Sequence, residues 1–165
     1  MPLQTLASEP GSSRGRGTPE FKVALAVLGI LLLTSVHHVW GAYVFDTPFR
    51  LHIVFVAIPA AAVIVGLLYL AANGSRRMAM AARWAAIAAT ALLPIVLIGI
   101  YEGGYNHVLK NAEYFLSGAE AARARFPAPT YEMPSDLFFE ASGAMQFAAA
   151  ILAIRELWRY VRAPR

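Results

Sequence analysis

The chain has 165 residues and a formal net charge of +4, enough for one compact domain. It is 58 % hydrophobic and 15 % charged, against about 45–50 % and about 25 % in soluble domains; with long uncharged runs, this excludes an ordinary soluble protein and points to a membrane protein. It has no cysteine, which excludes disulfides, thiolate metal sites and iron–sulfur clusters.

Residues 1–20 are polar and rich in Gly, Ser and Pro, and are expected to form a disordered cytoplasmic tail. A polar leader of this length, and no small-x-small site after the first apolar run, predict a retained helix in place of a cleaved signal peptide. Spans are predicted at 23–45, 51–72, 84–101 and 136–158, each near the roughly 20 residues that cross a hydrocarbon core. Pro59 and Pro94 fall inside spans two and three, where neighbouring helices can re-satisfy the freed backbone. Phe45 to Arg50 reads as a tight turn, and Asn73 to Arg77 opens a short basic connection. Short connections predict antiparallel neighbours, hence an all-α, four-helix up-down bundle. Residues 102–134 are the one long connection, predicted to lie outside the cytoplasm. Within it Val108, Leu109, Ala112, Phe115, Leu116 and Ala119 follow an i, i+3, i+4 spacing. That predicts an amphipathic helix along the outer interface, with Lys110 on another face. Gly103-Gly104-Tyr105-Asn106 reads as a flexible turn that either bends the chain over the polar residues or ends span three. Ser135 is a candidate cap for span four, and residues 161–165 form a short cytoplasmic tail.

Lys and Arg concentrate on the side of both termini and of the 73–83 connection. The positive-inside rule therefore predicts cytoplasmic termini. The basic balance is a topology signal and calls for no nucleic acid. Abundant Arg and Ala suggest a GC-rich bacterial genome, hence a bacterial inner membrane.

The polar residues carry the functional signal. All four histidines and most carboxylates fall toward the predicted outer side. At about 1.5 Å per residue, His37 and His38 lie roughly 6–8 Å inside the outer boundary. Glu140 lies about one turn inside, four residues after Asp136 and on the same helix face. His52, Glu102 and His107 lie nearer the boundary. Ionisable groups inside spans are costly, usually face other helices, and are functional candidates by default. Adjacent histidines diverge by about 100° on a helix, so at most one of His37 and His38 is expected to face a central site, the other bonding a neighbour or facing the interface. Gln146, deeper, is expected to hydrogen-bond between helices.

Four classes of function fit. The sharpest is a metal or small-polar-ligand site using His37, His38, His52, Glu102, His107 and Glu140, with zinc, iron, manganese or copper suited to imidazole and carboxylate. A single haem between two histidines is a weaker variant. Glu140 and Asp136 could instead form a catalytic acid/base pair or handle protons in a small transporter. Last, the chain could be a structural or accessory subunit, with membrane-protein partners or as a homo-oligomer in the lipid bilayer. His-Glu-x-x-His and Glu-x-x-His motifs are absent, so a metal reading rests on convergence in space.

Overall fold

A computed structural model describes residues 17–164; most of the predicted N-terminal tail and Arg165 lie outside the described residues. Among these the chain is all-helical, without strands. Four helices are long and apolar enough to cross a membrane, marking a multi-pass membrane protein.

Helix α1 spans Pro19–Val44. Thr18 begins it: its hydroxyl accepts the Phe21 amide at 3.3 Å, and Pro19 follows at the first helical position, where its missing N–H costs nothing. The buried seam of α1 is Val23, Val27, Ile30, Thr34, His37 and Gly41, an alternating 4,3 spacing that averages near 3.5 residues. Such a seam packs a neighbour at a shallow angle. Helix α6, Leu137–Arg162, carries the matching seam through Gly143, Gln146, Ala150, Ala153, Leu157 and Tyr160. The two run antiparallel, since Trp40 meets Asp136 and His37 meets Ser142. Each seam is apolar at one end and turns polar toward the other. Asp136, not the expected Ser135, caps α6, accepting the Phe139 amide at 2.7 Å.

After α1, Asp46 takes a left-handed φ of 49°, which a short polar side chain tolerates. A 3₁₀ turn at Pro48–Leu51 leads into α2, His52–Asn73. Only Ala57, Ile64 and Leu68 of α2 are buried. It packs along α1 and along the helix that follows it, Arg76–Thr90, and leaves the rest of its apolar surface outward, as a lipid-facing helix does.

The third helix departs most from the expected boundaries. Helix α3, Arg76–Thr90, passes without a break into a π-helical stretch, Ala91–Leu109, and then into α4, Lys110–Ser117. Helical winding does not stop at Tyr101 but runs to Ser117, 42 residues in all. Gly103 and Gly104 lie inside it. The reason is packing: a β-carbon at Gly103 would lie 2.5 Å from the Phe147 amide nitrogen of α6, so glycine here allows helix-to-helix contact and does not end the helix. Gly118, at φ 93°, ends the run, and a short helix α5 follows at Ala119–Arg125. At the opposite end of α6, the Arg83 guanidinium donates to the Tyr160 and Val161 carbonyls at 2.7 and 2.9 Å. It satisfies two of the carbonyls a helix end leaves open.

Candidate functional site: a histidine–carboxylate cluster

The polar ends of the α1 and α6 seams meet the π-helical stretch, and there the charges gather. Glu102 and His107 are five apart. On an α-helix they would diverge by about 140°. The i→i+5 winding, rare and usually only one turn long, brings them to one face, with His107 Nε2 3.8 Å from Glu102 Oε1. His37 and His38 direct their Nε2 atoms at the same oxygen, at 3.7 and 3.5 Å. Both adjacent histidines therefore face the site, against the expectation of one. Glu102 sits in the wedge between their diverging directions, and the two rings stand edge-on, 5.2 Å apart.

Two of the three rings, His37 and His107, are fixed from behind, while His38 Nδ1 is buried with no hydrogen-bond partner among the described residues. The Ser142 hydroxyl donates to the Phe139 carbonyl at 3.1 Å, so it accepts from His37 Nδ1–H at 3.0 Å. Glu140 Oε2 accepts from His107 Nδ1–H at 2.8 Å. A neutral imidazole has one N–H and one lone pair. Both assignments therefore leave the lone pair on Nε2, aimed at Glu102. A buried backing partner that fixes tautomer and ring orientation is characteristic of ligating histidines. His37 also stacks on Phe139 at 4.2 Å. His37 Nε2 is buried with no hydrogen-bond partner.

The spacing decides what the atoms can do. Hydrogen bonds to the carboxylate would need about 2.7–3.2 Å, and all three nitrogens stand farther off. Ligands at 2.0–2.1 Å around a tetrahedral ion lie about 3.3 Å from one another, within a few tenths of the observed 3.5–3.8 Å. His37, His38 and Glu102 each offer a ligand atom within 4.8 Å of the others. This group could hold a metal ion, and His107 approaches the same carboxylate oxygen.

Charge points the same way. Lys110, buried, donates to Glu140 Oε1 at 2.8 Å and to the Glu132 carbonyl. Arg50 pairs with Glu132 at 3.4 Å. Among the described residues Glu102 has no Lys or Arg partner. Its other oxygen accepts from Asn106 at 3.1 Å. A largely buried carboxylate with no cation calls for one, supplied either by a metal or by a proton on an imidazole.

Two cavities meet at the cluster. One, about 410 Å³, is lined by Arg50, His52, Tyr101, Lys110 and Tyr131. The Tyr101 hydroxyl, 3.4 Å away, pushes the Tyr131 pKa up to about 12, so Tyr131 stays a neutral donor. The other, about 150 Å³, is walled mainly by Leu31, Ile53, Ala57, Leu93 and Leu97. His38, Ile53 and Glu102 line both.

The remaining candidates separate. His52 is exposed at the start of α2, its Nδ1 bound to the Phe49 carbonyl. It faces the larger cavity, with its ring 6.4 Å from that of His38. Asp136 and Glu140 line one further cavity of about 420 Å³ but hydrogen-bond to different partners. Asp136 is committed to the Phe139 amide and to Trp40 Nε1, bonds that hold its carboxyl below the usual range, the amide foremost. Glu140 backs His107. Gln146 is fully buried, and neither amide atom finds a partner among the described residues. The α6 seam carries it toward Gly103, which offers no side chain. Ser142, Lys110, Arg50 and Glu132 complete the site unforeseen. Lys110, predicted on a face away from the apolar stripe, is turned inward by the continuation of the third helix and buried.

No protein-family model, curated protein or solved structure matches this chain.

Proposed function

We propose that this protein is a membrane-embedded metal-binding protein. Its four spans form an up-down bundle in a bacterial inner membrane with both termini cytoplasmic, and α4 and α5 lie at the outer interface over the site. His37, His38, His107 and Glu102 hold one divalent transition metal in the outer leaflet. The observation that carries this is the aim of three imidazole nitrogens at one carboxylate oxygen, too far to hydrogen-bond and near the spacing of co-ligands. Imidazole and carboxylate without thiolate suit zinc, iron(II), manganese or copper(II). Such an ion supplies Lewis acidity to an oxygen in the larger cavity. Glu140 acts on His107 as a positioning residue. Haem is disfavoured, because His37, Phe139 and His107 pack ring against ring at 4.2–5.1 Å and leave no slot for a macrocycle.

The test is metal analysis and an absorption spectrum of the detergent-purified chain. The expected result is close to one metal per chain, lost in His37→Ala and Glu102→Ala, and no Soret band. The uncompensated Glu102 also supports a second reading, a proton shared among the histidines for proton handling. A chain that stays metal-free after incubation with each of the four ions would move the assignment to that reading.

A further inference from the structure

The two cavities differ in chemistry and join at His38 and Glu102. The larger one presents donors: Arg50, Lys110, Asn106, Tyr101 and Tyr131, with Glu102 the one carboxylate among its lining residues. Arg50 and Lys110 are each matched by a carboxylate, Glu132 and Glu140, which leaves Glu102 as the one uncompensated charge among these described residues. A divalent metal at the cluster turns that balance positive and favours an anionic occupant beside the remaining N–H and O–H donors. The smaller cavity is apolar apart from Thr34, His38 and Glu102 at the cluster side. At about 150 Å³ it matches a dry cavity that holds a benzene-sized group, about six carbons. It lies between α1, α2 and the π-helical stretch. Val56 and Leu97 in its wall are 45 % and 54 % exposed, so it opens sideways onto the apolar surface that faces lipid.

From this arrangement we propose that the site takes a single-chain amphiphile from the bilayer. Its oxyanion head, carboxylate or phosphate, sits among Arg50, Lys110 and the two tyrosines. The first part of its hydrocarbon tail fills the apolar cavity, and the junction between them passes His38 and Glu102. Orientation fits the proposed topology: the head lies toward the outer surface and the tail toward the middle of the membrane, as in an outer-leaflet lipid. This rests on reading the cluster as the ligand-facing centre, and it adds the class of ligand.

The experiment uses the full chain in phosphatidylcholine nanodiscs, incubated with the metal found on purification or, if none is found, with zinc. Binding of radiolabelled dodecanoate is measured above that of empty nanodiscs, with dodecyl phosphate, acetate and inorganic phosphate as competitors. Metal content is measured on the same samples. The expected result is saturable binding of one dodecanoate per chain, with acetate and phosphate weaker by about tenfold or more. Filling the tail cavity with Ala57→Phe or Val56→Trp, and removing a head contact with Arg50→Gln, should each weaken binding by about tenfold or more. The two cavity variants should keep their metal. Whichever of dodecanoate and dodecyl phosphate competes better identifies the head. The proposal is overturned if acetate competes as well as dodecanoate, or if both cavity-filling variants bind like the native chain. Metal retained without saturable binding of either amphiphile sinks it while leaving the metal centre standing. Tail-dependent binding without any metal does the reverse.

Discussion

Glu140 illustrates how much a residue's role depends on its neighbours. Alone in a span it reads as a catalytic acid or a ligand. In the structure both of its oxygens are taken, by His107 Nδ1 and by Lys110 Nζ. Removing such a backing carboxylate typically costs 10–100-fold in metal affinity. Glu140→Gln is expected to keep the metal site but weaken it by about that factor, measured by competition with a chelator of known strength. An unchanged affinity would return Glu140 to the list of bystanders. Asp136 makes a different prediction. Its carboxyl is held below its ordinary 3.8, so the ionised form stabilises the fold above that pH, and the benefit is lost as pH falls through the lower folded value. Asp136→Ala should therefore melt at a lower temperature than the native chain at pH 7. The gap should close in acid, beginning near pH 4, and at pH 7 the variant should carry as much metal as the native chain.

At the scale of elements, the site depends on how the third helix and α6 are wound and packed. The π-helical stretch aligns Glu102 with His107, and close packing on α6 brings His107 against Gly143, where a β-carbon would lie within 2.5 Å of three atoms of the imidazole ring. Gly143→Ala therefore displaces His107 without touching a ligand. It is expected to insert normally and lose metal about as severely as His107→Ala. Native metal content in Gly143→Ala would show that His107 is not needed. This feature is only half legible in sequence. The spacing of 4 and 3 along α1 and α6 can be read as packing seams, but a two-glycine step at Gly103-Gly104 reads as a helix end. Glycine ends a helix when it supplies a left-handed φ, as Gly118 does, and permits close packing when it stays helical. The residue type is the same, and only the neighbouring helix decides.

For the whole molecule, the asymmetric placement of Lys and Arg predicts which ends face the cytoplasm. The chain has no cysteine, so single cysteines report cleanly. In intact cells, Ser117→Cys, at an exposed position, should react with a membrane-impermeant maleimide. Ser75→Cys and Ala163→Cys should react only after permeabilisation. The reverse pattern would invert the bundle and place the site at the cytoplasmic face.

The membrane character, the four apolar helices and the gathering of histidines toward one end were legible in the residues alone. Each is a property of one residue repeated or summed along the chain: apolar transfer, helical period, cost of an ionisable group in hydrocarbon. What the tertiary structure decided is of another kind. His37 and Ser142 are 105 positions apart and meet at 3.0 Å; Lys110 and Glu140 are 30 apart and meet at 2.8 Å. Ligation, tautomer and charge compensation turn on tenths of an ångström between such side chains. Helical period places a residue on a face, but only packed helices set the distance between two faces.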